Sequence, residues 1–235
     1  MKNVKSLFKT LISAIYPNKC ICCGEILDEG AYICDNCSVK IERINLDDIC
    51  LDCGRENENC VCKYNIFRFN ALVCVFKNIG LARRAYYSYK FGKKQHYANY
   101  FAEEVYHAIK RCYDGTRFDI VCAVPAYQRF GYDHSGYVAE LVAEKLGIPF
   151  NDKLLFCIKK SKKQHKSTIK ERLHNVDGKY FANCCLDNKK VLLIDDIKTT
   201  GATLDECAKT LLFAGADCVY CATVLGATEK SKNKN

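Results

Sequence analysis

Two adjacent aspartates, Asp195 and Asp196, close a run of aliphatic residues, and a turn of threonines and glycine follows them; residues 191–203 read VLLIDDIKTTGAT. Neighbouring carboxylates accept hydrogen bonds from vicinal hydroxyls, while the amides and hydroxyls of a small-residue turn can hold a phosphate. A sugar phosphate satisfies both halves. The elements that must position these groups follow from the pattern. Residues 191–194 have the unbroken apolarity of a strand buried on both faces of a parallel sheet, so the aspartates fall at its carboxyl end, where open α/β sheets bind ligands. The turn Lys198, Thr199, Thr200, Gly201, Ala202, Thr203 then leads into a helix beginning near Thr203, with a solvent-facing Lys198 able to touch a phosphate. An Asp turn that only caps the next helix is the competing reading.

A second constellation is built from thiols. Nine of the eighteen cysteines lie between residues 20 and 62, and eight of them fall in pairs: Cys20 and Cys23, Cys34 and Cys37, Cys50 and Cys53, Cys60 and Cys62. Paired knuckles supply two tetrahedral thiolate sites, and eight thiolates leave no open coordination position, so the implied zinc ions are structural. Gly24 and Gly54 follow two of the pairs, where a knuckle turn calls for positive φ. Cys60 and Cys62 stand one residue closer than a usual pair, which leaves open whether Cys74 replaces one of them, and Cys22 is a spare thiol. The segment is otherwise rich in Asn, Glu and Lys, so metal supplies much of its folding free energy.

The opening MKNVKSLFKTLISAIYP carries lysines within its apolar stretch and no cleavage-like pattern, so secretion is not expected. No later run could span a bilayer, and a reducing cytoplasmic location, where clustered thiols bind metal, is the expectation. The formal charge of +9 falls to about +5 once eight thiolates hold two zinc ions, which weakens overall charge as an argument for nucleic acid.

Four segments are expected. Residues 1–16 space Val4, Leu7, Phe8, Leu11, Ile12 and Ile15 as an amphipathic helix. A double zinc ribbon occupies 17–66. Across 67–228, strands at 71–76, 118–124, 154–158, 180–181, the motif strand and 218–225 alternate with helices over 81–89, 97–111, 136–146, 169–175 and 203–213. Such alternation predicts an α/β domain, a parallel sheet flanked by helices. The Lys-, Asn- and Ser-rich tail, 229–235, is expected to be disordered.

The motif string resembles the PRPP-binding motif of type I phosphoribosyltransferases, with Lys198 where an aliphatic residue is usual. Further segments extend the likeness in order: Tyr89-Lys90-Phe91-Gly92, Ala123-Val124-Pro125, Tyr132-Asp133-His134, and Gln164 with Glu171-Arg172 and Asn175. With the ribbon, they resemble the ComF family, competence-associated phosphoribosyltransferase-like proteins with an amino-terminal double zinc ribbon. The resemblance implies a type I phosphoribosyltransferase-like sheet whose acid pair, Asp195 and Asp196, holds the ribose of PRPP or a related ribose-5-phosphate ligand. It implies that residues 199–203 hold the 5-phosphate, that Val124, Pro125 and Ala126 wrap the pyrophosphate with Mg²⁺, and that Gln164, Glu171, Arg172 and Asn175 belong to a flexible loop. A role in DNA uptake and natural transformation is implied as well. Phosphoribosyl transfer is the corresponding reaction, but no segment identifies an acceptor.

Taken as residues alone, the remaining positions keep two meanings each. Arg129 has a planar fork suited to two phosphate oxygens, and it is equally an ordinary surface arginine. Lys90 is a phosphate or DNA contact, or part of a solvated face. Lys162, Lys163, His165, Lys166 and their neighbours form the densest cation cluster, either a lid ordered by a polyanion or a solvated loop. Tyr86, Tyr87, Tyr89 and Tyr97 beside Arg83, Lys90 and Lys93 offer base stacking or a helix core. His134 and His174 read best as structural. The rival function is a non-catalytic single-stranded DNA-binding competence protein that uses the ribbon and the basic loop, with other competence proteins as partners.

Overall fold

The computed structural model describes residues 17–60, 62, 67–92, 94–125, 133–157 and 178–227. In chain order its main elements are α1 (Asp35–Lys40), β1 (Ile49–Cys50), β2 (Arg55–Glu56), β3 (Ala71–Lys77), α2 (Gly80–Phe91), α3 (Ala98–Cys112), β4 (Ile120–Ala123) and α4 (His134–Leu146). Then come β5 (Leu155–Cys157), β6 (Tyr180–Ala182), β7 (Lys190–Lys198), α5 (Ala202–Phe213) and β8 (Cys218–Gly226). The expected helices over 1–16 and 169–175 and the tail 229–235 lie outside the described residues.

Four strands form a parallel sheet in the order β3-β8-β7-β4. The pleat sorts their side chains into two layers. Val73, Val75, Leu192, Ile194, Ala222 and Val224 pack with α2, α3 and α4, whereas Leu72, Cys74, Val191, Leu193, Val219 and Cys221 pack with Leu204, Cys207, Ala208 and Leu211 of α5. Both faces are covered, so residues 191–194 are wholly buried and the strand has no polar alternation.

Two expectations need correction. The segment at 154–158 does not join the parallel sheet; β5 pairs antiparallel with β6 as a separate two-stranded unit. Three-residue strands carry too little periodicity to reveal their partner. The motif strand also runs past the aspartates to Lys198, held there by β8.

The ribbon closes the β3 edge of the sheet. Ile44 N–H donates to Val75 O at 2.9 Å, Lys77 N–H to Glu42 O at 2.8 Å and Leu72 N–H to Leu51 O at 2.6 Å. These bonds consume edge groups that would otherwise stay unpaired. The Glu42 carboxylate accepts the N–H groups of Leu81 and Ala82 at 3.2 and 3.0 Å, which satisfies open donors of the first turn of α2.

Candidate ligand site and metal centres

The acid pair lies where the sheet opens. Pairing of β4 with β7 ends at Ala123 and Ile194, and Val124 N–H makes a last bond to Ile194 O at 2.9 Å. On its other side β7 stays paired with β8 as far as Lys198 and Gly226. Asp195 and Asp196 therefore keep one strand neighbour and have lost the other, beside Val124 and Pro125.

Alternation along β7 separates the two carboxylates. Asp196 shares the face of Leu192 and Ile194 and meets α2, where Lys90 Nζ donates to its Oδ2. Asp195 accepts the Asp196 N–H at 2.8 Å. Burial, reinforced by the charge on Asp196, pushes the Asp195 carboxyl well above the usual carboxylate range, and Lys90 only partly opposes this.

The following turn has the shape of a cradle. Gly201 sits in the left-handed region at φ +89°, and a Cβ there would lie 3.0 Å from the Phe67 ring. The turn delivers the chain into α5 at Ala202, whose N–H donates to Thr200 Oγ1 at 3.3 Å. Thr199 is exposed, and Thr200 and Thr203 are half-buried. A helix N-terminus preceded by small residues presents amides to an anion.

Lys198 overturns its expected orientation. It does not face solvent: it is 2% exposed, and its ammonium donates to the main-chain oxygen of Cys53 at 2.7 Å. The aliphatic residue usual at this position was the available signal that the place is an interior one. The tyrosine stacking platform is overturned too, because Tyr86, Tyr89 and Tyr97 are buried against helix and sheet. Tyr86 nevertheless belongs to the site's surroundings. Its hydroxyl is buried with no hydrogen-bond partner among the described residues, and burial, Asp196, Tyr89 and Asp195 all push its ionisation upward. Nothing in the helical spacing of α2 distinguished this tyrosine from a core residue. His134 opens α4 and meets the Tyr89 ring edge-on at 5.1 Å. Ala126, Arg129, Lys162, Lys163, Gln164, Glu171, Arg172, Asn175 and His174 lie outside the described residues.

The thiols gather as two quartets, Cys20, Cys23, Cys34 and Cys37, and Cys50, Cys53, Cys60 and Cys62, each with its four Sγ atoms within 4.8 Å of one another. Between sulfurs, Cys23 to Cys34 is 3.8 Å, Cys50 to Cys62 3.6 Å, Cys53 to Cys60 3.9 Å and Cys50 to Cys60 3.4 Å. A tetrahedron with Zn–S of about 2.3 Å has edges of about 3.8 Å, so both quartets fit structural zinc. Cys60 and Cys62 share the second quartet despite their short spacing, and the buried Cys74 stands outside it. Gly24 and Gly54 have φ of +81° and +66° and donate to Cys20 O and Cys50 O, each at 2.8 Å, closing the knuckles.

Comparison with known proteins adds two domain matches: residues 11–67 match the double zinc ribbon domain, and residues 133–235 match the phosphoribosyl transferase domain. The chain is 23% identical to Competence protein ComFC of Streptococcus pneumoniae over 84% of this chain and 95% of that protein. The two domains and this relative together match a ComF-family protein. Among solved structures, a hypoxanthine phosphoribosyltransferase of Staphylococcus aureus is 16% identical over 57% of this chain and 69% of its own, at a TM-score of 0.38. A purine phosphoribosyltransferase of Pyrococcus horikoshii is 18% identical over 57% and 83%, at 0.37. The allosteric regulatory enzyme of purine biosynthesis is 23% identical over 55% of this chain but only 25% of its own, also at 0.37. Among the described residues, no helix of this chain is long and apolar enough to cross a membrane.

Proposed function

We propose that this chain is a ComF-family protein that binds PRPP or a related ribose-5-phosphate ligand at the carboxyl end of β7, and that it serves DNA uptake in natural transformation. The observation that carries the ligand reading is the placement of an acid pair, a left-handed glycine and a helix N-terminus in succession, where β4 has left β7. Asp195 and Asp196 accept the ribose hydroxyls, and the amides of residues 199–203 hold the 5-phosphate. Val124, Pro125 and Ala126, followed by Arg129, take the pyrophosphate side. Mg²⁺ bound with PRPP would neutralise the leaving pyrophosphate oxygens. Lys90 pairs with Asp196 and fixes the carboxylate that would accept a ribose hydroxyl. In its enzymatic form the reading is phosphoribosyl transfer, where these groups position the ribose and stabilise the charge that develops as pyrophosphate departs.

The DNA-uptake role is supported by the likeness to the competence protein of Streptococcus pneumoniae. With three of the four tyrosines buried, direct single-stranded DNA contact would fall to the ribbon and the basic loop that carries Lys162 and Lys163. Calorimetry with Mg²⁺-PRPP tests the ligand reading: wild type binds, Asp195→Asn/Asp196→Asn does not, and silence of the wild type at millimolar ligand refutes it. Transformation frequency of the same double variant in its host tests whether the site serves uptake; an unchanged frequency separates the two.

A further inference from the structure

The cradle does not stand on the sheet alone. Three consecutive parts of it are each held from the ribbon or from the stretch that leaves it. At the strand end, the Lys198 ammonium reaches the Cys53 carbonyl inside the second knuckle. At the turn, Gly201 lies against the Phe67 ring, which in turn stacks on Phe69 at 4.9 Å between centroids. In the first turn of α5, Asp205 accepts from Arg68 twice, from its N–H at 2.5 Å and from its guanidinium at 2.7 Å.

The knuckle is pressed into place from below. A Cβ on Gly54 would come within 2.6 Å of Cys74 Sγ and 3.0 Å of Leu72 Cγ, so the second quartet rests directly on β3. Gly226, the β8 partner of Lys198, is equally tight: a Cβ there would lie 2.8 Å from Cys74 Cβ and 3.0 Å from Ile44 Cδ1. No described carboxylate pairs with Lys198. A buried ammonium needs compensating charge, and four thiolates around one divalent ion carry a net formal charge of about −2.

We infer that Lys198 is a positioning residue: it ties the phosphate cradle to the second zinc knuckle, so that the metal-folded ribbon sets the geometry of residues 198–205. The functional half of this inference rests on the ribose-5-phosphate reading; the structural half does not. It gives the ribbon a definite task, that of bracing the ligand loop. It also makes the coupling reciprocal, because a metal site that favours the ligand-ready cradle is itself held more tightly when the cradle is filled.

The test uses the full chain and Lys198→Met, which keeps the apolar stem and removes the ammonium. Metal analysis first establishes that the variant retains both zinc ions. Amide hydrogen exchange of peptides covering residues 199–205 is then compared between wild type, Lys198→Met, and wild type after partial chelation. Exchange in the cradle should quicken by about tenfold in the last two, equivalent to roughly 1.4 kcal/mol of lost protection. Mg²⁺-PRPP affinity of Lys198→Met should fall by a similar factor. Unchanged cradle exchange in Lys198→Met with both metals in place overturns the brace, whatever the ligand result. A wild type that fails to bind PRPP removes the ligand reading and leaves exchange to decide the brace.

Discussion

Replacing Lys90 by Met isolates the electrostatics of the acid pair, because Met keeps an apolar stem of similar length and deletes the charge. Exposed ion pairs contribute about 0–1 kcal/mol, while removing one partner of a fully buried pair costs about 3–5 kcal/mol. Lys90 and Asp196 are 29% and 17% exposed, between those limits, so a loss of about 1–2 kcal/mol is expected. The loss should depend on pH. With its folded pKa already raised by burial and by Asp196, Asp195 binds a proton over a range in which the unfolded chain has released it, and stability falls as pH rises through that range. Removing Lys90 removes a charge that opposes the shift, so Lys90→Met should extend to higher pH the range over which stability falls. Thermal unfolding of wild type, Lys90→Met, Asp196→Asn and the double variant, with zinc retained, gives the coupling energy. A coupling within error of zero, together with a pH-independent loss, would refute the assignment of Lys90 as the counter-charge of the pair.

Three further outcomes follow from the same geometry. Asp195→Asn should raise the melting temperature at neutral pH while abolishing Mg²⁺-PRPP binding, since above the unfolded carboxyl's pKa folding must either protonate Asp195 or bury its charge, a cost that Asn does not carry; an unchanged or lowered melting temperature would count against the raised pKa. Gly201→Ala should cost about 1–2 kcal/mol in thermal stability from its left-handed φ, with added strain against Phe67, and should weaken phosphate binding in calorimetry. Metal analysis should find about two zinc ions per chain, and Cys60→Ser about one; chelation should expose the quartet thiols to a thiol reagent and erase the circular dichroism contributed by the ribbon.

The parts of this molecule legible in the sequence are those where local chemistry and position coincide. The alternation of strands and helices indicated the parallel sheet because residues 191–194 can be continuously apolar only between two covered faces. The thiol quartets were legible because ligand spacing is local, and even the shortened Cys60 and Cys62 pair still meets in three dimensions. What escaped were facts about partners distant in the chain. The β5 and β6 pairing joins segments too short to declare a partner, and the bond from Lys198 to Cys53 spans 145 positions. The tyrosines of α2 were ambiguous for a related reason: helical spacing places them on a face without saying whether that face looks at solvent or at the sheet.

The bond from Lys198 to Cys53 changes how a phosphate would be held. Three cations beside the acid pair and the cradle are already engaged within the protein, Lys90 by Asp196, Lys198 by the Cys53 carbonyl and Arg68 by Asp205. Drawing any of them to a ligand would leave a carboxylate or a buried carbonyl without its partner, a loss comparable with the benefit of the new bond. On the proposed reading the cradle would therefore hold a phosphate through oriented backbone amides and threonine hydroxyls, whose geometry matters more than their charge. A site of that kind depends on rigidity, because a displaced amide loses its bond whereas a displaced cation keeps part of its attraction. On that reading, a ribbon bonded to the strand end, the glycine turn and the first turn of α5 together would have a physical reason: an amide-based phosphate site needs a rigid frame more than it needs another lysine.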